Sequence, residues 1–347
     1  MPHFPQIAQN LIPQIAVVAS IAVVAHDVTP VKHNSSIRIG LVLVVALLTA
    51  PAAHAKNPLA GERLFLNPDT QAAADVRSVQ KHDPATANRL TAISDSPQAI
   101  WLTTGGKATK QRVVGAITAS RNANSVPVFV AYNIPARDCG SFSAGGSKDA
   151  RAYSRFVATI ARAIGKRRAA VVMEPDAIAG LDCLSAKKQR GRLALIRKSV
   201  RTLETRPKLA VYIDAGHSVW KPVSTMARRL RKAGIAQAHG FSLNVSNYNR
   251  TADEVAFGTK LSKATNGKHF VVDTSRNGQG PAPDNEWCNP PGRGLGERPR
   301  TTNLPSKRVD ALLWIKAPGE SDGTCNGGPP AGEWWRDYAL GLIERSG

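Results

Sequence analysis

The stretch AAVVMEPDAIAG, residues 169–180, predicts the fold of this chain. A short, unbroken apolar run bounded by residues that interrupt regular structure is typical of a strand buried on both faces, as in a parallel sheet. Glu174, Pro175 and Asp176 follow the run, so we expect them at the carboxyl end of the strand. Pro175 ends the hydrogen-bonding ladder and stiffens the corner from which Asp176 projects. Asp176 is therefore a candidate catalytic residue, although an N-cap role in a following helix stays open.

Other apolar runs alternate with helical patterns along the chain. Strand-like segments lie at residues 126–132, 209–214, 240–245, 269–273 and 311–316. Helices are predicted at residues 85–93, 149–165, 185–204, 222–233, 252–265 and 332–345. Strands that alternate with helices through short connections form a parallel sheet. Residues 56–83 instead resemble an irregular polar segment, and residues 278–296 form one long loop rich in Pro and Gly.

Polar side chains follow each of the six predicted strands. They are Asp138, Glu174 and Asp176, Asp214 and His217, Asn244 and Asn247, Asp273, and Lys316, Glu320 and Asp322. Because the loops that leave the carboxyl ends of parallel strands face one mouth, we expect these side chains to share a cleft. Carboxylates crowded into one cleft suit glycoside hydrolysis, in which one acid protonates the leaving oxygen and a second carboxylate assists. An aspartic protease would also use two acids.

Three tryptophans favour a sugar substrate over a peptide. Trp101, Trp220 and Trp287 lie beside predicted strand ends or in the long loop, where flat apolar faces can stack on sugar rings. For any one tryptophan alone, filling the core is the more common role.

The composition is that of an ordinary globular protein with a strong positive charge. The 347 residues include 46 Lys and Arg against 25 Asp and Glu, a net charge of +21. Basic clusters at residues 166–168, 187–192 and 228–232 fall on or beside predicted helices. Solvated helix faces are the simpler interpretation, and weak attachment to an anionic envelope or polymer is the second. No nucleic-acid-binding motif accompanies the charge, so we expect no nucleic-acid partner.

Residues 1–55 are predicted to be a leader. Within it, residues 35–55 have a cationic start at Arg38, an apolar stretch and an Ala-x-Ala ending, which indicate a secretory signal cleaved after Ala55. An additional apolar run at residues 15–25 suggests that translation starts near Val31, and a single membrane anchor is the alternative. Both apolar runs are shorter than the roughly 20 residues that a membrane span needs. Residues 56–347 are then a single secreted catalytic domain.

Four cysteines remain in that domain: Cys139, Cys183, Cys288 and Cys325. No Cys-x-x-Cys or paired histidine accompanies them, so a zinc site is not expected. In an exported protein two disulfides are the default. The residues alone leave three pairings open.

Seven motifs, in order, resemble glycoside hydrolase family 6, the inverting β-1,4-glucanases that include endoglucanases and cellobiohydrolases. The motifs are VAYNIPARDCG (130–140), VVMEPDAIAGLDC (171–183), VYIDAGHSVW (211–220), LNVSNYNRT (243–251), DTSRNGQGPA (273–282), EWCNPPGRGLG (286–296) and LWIKAPGESDGTC (313–325). The resemblance runs from about Asn57 to the C terminus. It implies an α/β fold, a distorted and partly open (β/α) barrel with a parallel strand core and fewer than eight regular strands. No metal or other cofactor is implied, and we expect a monomer that binds β-1,4-glucan.

The resemblance also implies roles for individual residues. Asp176 matches the general acid, and Asp138 matches the carboxylate that raises the acid's pKa and joins the water network. Asp322 matches a carboxylate proposed as base or as stabiliser of positive charge at the anomeric carbon. Tyr132 matches a tyrosine beneath the reacting sugar. Asp214 is either a buried structural acid or a supporting catalytic group.

A further set of residues matches positions that bind substrate. Trp101, Trp220 and Trp287 match sugar-stacking positions, and Lys316 and Glu320 match partners of bound glucosyl units, while His217, Asn244 and Arg293 are expected to line the cleft. The resemblance pairs Cys139 with Cys183 and Cys288 with Cys325, so that each bridge fixes a loop bearing a catalytic carboxylate.

One position departs from the family pattern. Family members usually have a serine six residues after the acid at Asp138, where it helps to hold the attacking water, and here that position is Ala144. Either Ser143 replaces it after a small loop shift or the proton path is weakened, which would leave a glucan-binding protein with reduced turnover. The segments at residues 139–153 and 321–334 are short compared with those of cellobiohydrolases, which favours an open groove and internal cleavage.

Overall fold

The computed structural model describes residues 57–346, and the predicted leader with its cleavage site lies outside them. The described residues form one sheet of seven parallel strands, and each strand pairs with the next along the chain. The strands are β1 (Ile100–Leu102), β2 (Val128–Ala131), β3 (Ala169–Met173), β4 (Leu209–Asp214), β5 (Gly240–Leu243), β6 (His269–Asp273) and β7 (Val309–Leu313).

Eight helices of nine residues or more accompany the sheet in residues 57–346. They are α1 (Gln71–Val79), α2 (Pro84–Ser94), α3 (Gly106–Asn122), α4 (Ala150–Ile164), α5 (Ala186–Glu204), α6 (Val223–Ala233), α7 (Thr251–Ala264) and α8 (Arg336–Glu344). Helices α3 to α7 connect or follow successive strands and pack side by side. None of the helices in this part of the chain is both long and apolar enough to cross a bilayer.

The sheet curls so that its first and last strands approach each other without pairing as strands within residues 57–346. The Ala99 N–H, just before β1, donates to the Trp314 carbonyl, just after β7, at 2.9 Å. The Trp101 indole Nε1 donates to the Ile315 carbonyl at 2.8 Å. The prediction of a partly open (β/α) barrel with fewer than eight strands is therefore confirmed.

Apolar side chains cover both faces of most strands, which explains the unbroken apolar runs; the exception is β5, which has Gly240 and Ser242 on one face. In β2, Val128 and Val130 pack into the barrel interior with residues of the other strands. Phe129 and Ala131 point the other way and pack against the surrounding helices. A smaller cluster joins α1, α2 and α8.

Three elements were absent from the sequence-based prediction. Helix α1 lies in the segment predicted to be irregular, α3 was not predicted, and Ile100–Leu102 was not assigned as a strand. Strand β7 also begins two residues earlier than predicted. Helix α3 is largely polar and β1 has only three residues, so their sequence patterns are weaker than those of the central strands.

A buried carboxylate, Asp310, lies within β7. The Tyr212 hydroxyl donates to it at 2.8 Å, and His269 Nδ1 and His239 Nε2 lie 2.7 and 3.2 Å from its oxygens. Burial acts to raise the pKa of Asp310, but the hydrogen bonds and charges of His239 and His269 outweigh it and lower that pKa. Asp310 thus links β4, β6 and β7 as an ionised group.

Replacing this carboxylate is expected to destabilise the barrel. Asp310→Ala leaves the Tyr212 hydroxyl and two imidazoles without their shared acceptor, so we expect the free energy of unfolding in urea to fall by about 2–4 kcal/mol. Asp253→Ala, which removes an exposed carboxylate from α7, is the control and should cost less than about 1 kcal/mol. Equal losses in the two variants would contradict this account.

Candidate active site

A cleft with a volume of about 1040 Å³ opens at the carboxyl end of the sheet. Most of the residues predicted for the site line it: Trp101, Tyr132, Asp138, Ser143, Ala144, Asp176, His217, Trp220, Trp287, Lys316, Glu320 and Asp322. Residues from segments as distant as β1 and the loop after β7 meet there because all seven strands run in the same direction.

Five predicted residues do not line the cleft, and two of them, Glu174 and Asp273, are buried at the ends of β3 and β6, where they accept backbone N–H groups. Asn244 is fully buried and donates through Nδ2 to the carbonyls of Asn249 and Asp273, at 3.1 and 3.0 Å. Arg293 instead donates to the carbonyls of Gly280 and Pro281, at 2.8 and 2.9 Å, and so braces the long loop. Asp214 is buried beneath the cleft wall. The prediction that Asn244 and Arg293 line the cleft is therefore corrected: both hold backbone that shapes it.

Asp176 follows β3 and is positioned by Asp214. Its backbone N–H donates to Asp214 Oδ1 at 3.0 Å, and the same oxygen accepts the Gly216 N–H at 3.0 Å. Burial raises the pKa of Asp176 well above its usual value, and the nearby carboxylates of Asp214, Asp138 and Asp322 raise it further. Among these neighbours Asp214 has the largest effect, ahead of Asp138, which the resemblance had implied. Burial also raises the pKa of Asp214, to about 7.

Asp138 lies in the loop after β2, and Arg137 holds that loop in place. Arg137 donates to the carbonyls of Tyr132 and Ser143, at 2.8 and 2.7 Å, and its guanidinium lies 4.8 Å from the centre of the Tyr132 ring. The Ser143 N–H donates to Asp138 Oδ2 at 2.8 Å. Burial raises the pKa of Asp138, although the Ser143 N–H and Arg137 oppose the shift. Ser143 thus contacts Asp138 through its backbone, and Ala144 brings no hydroxyl to the cleft.

The end of the same loop depends on a glycine. Gly146 has a φ of +95°, and a Cβ at this position would lie 1.9 Å from the Ile134 carbonyl oxygen. Any larger residue would push the loop away from β2 and displace Asp138 with it.

Asp322 is surrounded by cationic groups and donors. Arg276 Nη1 lies 2.8 Å from Oδ2, and Lys316 Nζ lies 3.3 Å from Oδ1. The Tyr248 hydroxyl and the Asn289 N–H also donate to Oδ2, at 3.2 and 3.1 Å. Burial acts to raise the pKa of Asp322, but Arg276 and Lys316 outweigh it, so that pKa lies below its usual value. Asp322 is therefore ionised under conditions in which Asp176 holds a proton.

Sequence reasoning missed Arg276 and Tyr248, which support this carboxylate. Arg276 is completely buried, and its guanidinium lies 4.5 Å from the centre of the Tyr248 ring. It belongs to the motif DTSRNGQGPA, directly after β6. The sequence signal for Arg276 is a cation among small polar residues just after a predicted strand.

Aromatic side chains form much of the cleft wall. The Trp101 ring meets Tyr132 edge-on, with ring centres 5.1 Å apart. Trp220 lies against His217, at 5.4 Å, and burial lowers the pKa of His217 to about 4, so that imidazole is neutral near pH 7. Trp287 is 46% exposed and lies 6.1 Å from Phe142, so the long loop touches the Asp138 loop.

Two disulfides fix the loops that carry the carboxylates. Cys139 is bonded to Cys183 and Cys288 to Cys325, the pairing that the resemblance implied. The first joins the Asp138 loop to the segment that follows Asp176. The second joins the long loop to the segment that contains Asp322.

Backbone strain also concentrates at this edge of the sheet. Asp138, Glu174, Asp176, Asn244 and Ser246 all have φ between +49° and +69°. Non-glycine residues adopt such angles rarely, and when they do the surrounding contacts must compensate a cost of about 1–3 kcal/mol each. Here buried hydrogen bonds hold the backbone, so the carboxylates occupy fixed positions.

Comparison with known proteins assigns this arrangement to a family. Residues 59–346 match the model of the glycosyl hydrolases family 6. The chain belongs to this family. The match covers the whole sheet, every carboxylate described above and both disulfides.

Family 6 relatives are similar over most of the described residues. Endoglucanase A of Cellulomonas fimi is 44% identical over 81% of this chain, and the chain spans 61% of that protein's length. Endoglucanase 1 of Streptomyces halstedii is 37% identical over 87% of this chain and 95% of that protein. The solved structure of the endoglucanase Cel6 from Mycobacterium tuberculosis, in complex with methyl-cellobiosyl-4-deoxy-4-thio-β-D-cellobioside, has a TM-score of 0.79 and 42% identity, covering 84% of this chain and 99% of that one.

Residues 57–346 contain no group of three or more His, Cys, Asp or Glu side chains arranged to hold a metal. Among the acids of the cleft, Asp138 accepts a hydrogen bond from the Ser143 N–H, Glu320 accepts one from the Gln71 side chain, and Asp322 lies against Arg276 and Lys316.

Removing Arg276 is expected to change Asp322 in a measurable way. Arg276→Ala leaves a buried carboxylate with one cation fewer, so the pKa of Asp322 should rise and the free energy of unfolding at pH 7 should fall by about 3–5 kcal/mol. Carboxyl ¹³C NMR titration and urea unfolding provide the two readouts.

Arg298→Ala, which removes an exposed arginine, is the control for this variant and should change neither quantity appreciably. The loss of stability in Arg276→Ala should shrink when Asp322 becomes protonated at low pH. A loss of the same size at pH 3 and pH 7 would show that packing, not the ion pair, carries the effect.

Proposed function

We propose that this family 6 protein is a secreted endo-β-1,4-glucanase that cleaves with inversion, with Asp176 as general acid. The observation that supports the proposal is that two carboxyl groups in one cleft have pKa values shifted in opposite directions. The pKa of Asp176 is raised by burial and by neighbouring acids, whereas the pKa of Asp322 is lowered by Arg276 and Lys316. Carboxyl groups whose pKa values are pushed apart are the usual arrangement for acid and base roles in glycoside hydrolysis.

Asp176 is suited to donate a proton to the oxygen of the leaving sugar. Its neutral form is favoured because burial disfavours the charged carboxylate and because neighbouring carboxylates already contribute negative charge. The positive φ of Asp176, +69°, and the hydrogen bond from its N–H to Asp214 fix the direction from which the proton arrives.

Asp322 and Asp138 have different roles in the rest of the reaction. Asp322 accepts hydrogen bonds from Arg276, Tyr248 and Asn289, which makes it a weak base and suits it to stabilise positive charge at the anomeric carbon. Asp138 has a raised pKa and a hydrogen bond from the Ser143 N–H, so it is the better acceptor of a proton from the attacking water. Removal of that proton on the side of the sugar away from Asp176 gives inversion.

The cleft wall supports a β-glucan as the bound polymer. Trp101, Trp220 and Trp287 offer flat faces for sugar rings, and Lys316 and Glu320 offer hydrogen-bonding groups beside them. The Mycobacterium tuberculosis relative was solved with a cellobiose-based ligand. A cello-oligosaccharide is the corresponding ligand proposed here.

Internal cleavage is favoured over release from chain ends. The segments at residues 139–153 and 321–334 are short, and the relatives at 37% and 44% identity carry endoglucanase names. A cellobiohydrolase of the same family is the alternative. A rapid fall in the viscosity of carboxymethyl cellulose, before much reducing sugar appears, supports the endo-acting form.

Ala144 favours a second candidate, a glucan-binding protein with weak turnover. Ala144 presents a methyl group to the cleft where a serine would present a hydroxyl, so a water molecule there has one hydrogen-bonding partner fewer. The purified protein would then bind cello-oligosaccharides but hydrolyse them slowly.

Secretion rests on the signal-like residues 35–55 and fits the two disulfides, which are typical of oxidising compartments. The N-terminal sequence of protein recovered from culture medium tests it, with Lys56 as the expected first residue.

Replacing the proposed acid tests the mechanism directly. Asp176→Asn should lower kcat on a cello-oligosaccharide by at least about 100-fold because no proton reaches the leaving oxygen, while binding of the oligosaccharide persists. Asp149→Asn, an exchange between two good N-cap residues at the start of α4, is the control and should retain full activity. ¹H NMR of the first product should show the α-anomer, and a β-anomer would contradict inversion.

The pH dependence follows from the two pKa shifts. Activity should fall as pH rises through the raised pKa of Asp176, which loses its proton, and as pH falls through the raised pKa of Asp138, which must be ionised to accept a proton from water. Asp214→Asn removes the neighbouring charge that most raises the pKa of Asp176 and keeps an acceptor oxygen for the Asp176 N–H. The alkaline limb of the kcat profile should therefore move to lower pH, and Asp253→Asn should leave it in place. An unmoved limb in Asp214→Asn would contradict the assignment.

A further inference from the structure

The positive charge of this protein is concentrated on four adjacent helices. Helices α3, α4, α5 and α6 contain 4, 3, 7 and 4 Lys or Arg residues, 18 in all, against one acid, Glu204. The other four helices contain five residues of each sign. Helices α3 to α6 pack in sequence along one side of the sheet. The net charge of +21 thus comes largely from these four helices, which form a basic helical wall.

Three of these arginines have structural roles, and most of the rest face solvent. Arg192 donates to the carbonyls of Pro135 and Ala136, and Arg229 donates to those of Ile178 and Ala179. Both therefore brace loops that lead to the cleft. Arg231 is exposed and donates to the Ala264 carbonyl, at the end of α7, at 2.8 Å. The side chains of the other exposed cations on α3 to α6 donate to no carbonyl within residues 57–346.

A groove with a volume of about 500 Å³ lies in this wall, between α4 and α5. It is lined by Ala158, Ala161, Arg162, Lys198, Arg201, Thr202, Thr205 and Arg206. Four of the eight lining residues are cationic and none is acidic, so the groove has a strongly positive potential. Glu204, the one acid of the wall, is not among them.

The cations of the groove lack anionic partners. None of the four forms an ion pair within residues 57–346, and Arg206 Nε is buried there without a hydrogen-bond partner. A favourable interaction with the helix dipole explains a cation in the last turn of each helix, such as Arg162 or Arg201. It does not explain why four like charges, which repel one another, surround one groove.

The groove is far from the catalytic cleft along the barrel axis. Helix α5 begins at Ala186, shortly after the cleft residue Cys183, and ends at Glu204, shortly before β4. The groove is lined by the last two turns of α5, so it lies at the amino end of the sheet, whereas the cleft lies at the carboxyl end. An occupant of the groove would leave the cleft free.

We propose that the groove between α4 and α5, together with the exposed cations of α3 and α6, binds a carboxylated polysaccharide. Charge spread over four helices fits an extended polymer with repeated carboxylates better than a single small anion. Arginine forks match carboxylates, Thr202 and Thr205 offer hydroxyls to sugar hydroxyls, and Ala158 and Ala161 leave room for a ring.

The side chains of the wall argue against two other anionic partners. No aromatic residue lines the groove, so the stacking platform that single-stranded nucleic acids use is missing. Among the large hydrophobic side chains exposed in residues 57–346, only Val114 lies on α3 to α6, so the wall has no apolar anchor for a lipid surface.

Binding to polygalacturonate, with its methyl-esterified form as neutral comparison, tests the proposal. Affinity electrophoresis and isothermal titration should show salt-sensitive binding to the acidic polymer and none to the ester. The variant Arg162→Gln/Lys198→Gln/Arg201→Gln should bind about tenfold more weakly. The control Lys260→Gln/Lys263→Gln/Lys307→Gln removes the same charge from exposed sites outside the groove and should bind within about twofold of the parent.

Both triple variants should keep the parent's thermal unfolding midpoint and its activity on a soluble cello-oligosaccharide, since neither set touches the cleft. The proposal is overturned if the ester binds as well as the acid, or if the two variants lose affinity equally. It is also overturned if single-stranded DNA or vesicles of phosphatidylglycerol bind more tightly than polygalacturonate and displace it.

Discussion

Buried carboxyl groups at the carboxyl end of the sheet are the constraint on which this structure depends. A buried carboxylate is tolerated only if it takes up a proton or receives hydrogen bonds or a cation. Asp273 receives four backbone N–H groups, those of Ser246, Ser275, Ile315 and Lys316, and so joins the ends of β5, β6 and β7. Glu174 joins the ends of β2 and β3 in the same way, through the N–H groups of Asn133 and Ile134. The acids thus organise the backbone as well as the chemistry.

This arrangement explains why the strained backbone at the site persists. Residues with positive φ follow β2, β3 and β5, at the points where buried carboxylates accept backbone N–H groups. Those hydrogen bonds lie away from solvent, where their loss would leave an unsatisfied buried group. The two disulfides add covalent limits on the loops that carry Asp138 and Asp322. Strain, hydrogen bonds and disulfides together set the positions of the reactive groups before a substrate arrives.

The placement of cations then distinguishes groups of the same chemical type. Arg276 and Lys316 lie beside Asp322 and lower its pKa, whereas burial and neighbouring carboxylates raise the pKa of Asp176. On α3 to α6, 18 cations stand against one acid, Glu204. Two cations of those helices, Arg112 of α3 and Arg192 of α5, reach the lining of the cleft, whereas the groove between α4 and α5 lies at the other end of the sheet.

The sequence by itself determined that the central strands run parallel, since unbroken apolar runs alternate there with helical patterns through short connections. It also indicated that the polar residues after those strands share a cleft. Helix α3 was missed although Val113, Ala116, Ile117 and Ser120 follow a helical period, because the surrounding residues are polar. Only the tertiary structure decided that Arg276 meets Asp322, 46 residues away, and that Asn244 and Arg293 brace backbone beneath or beside the cleft. Periodicity reports which face of an element is buried, but the partner of a buried charge depends on how the ends of distant strands come together.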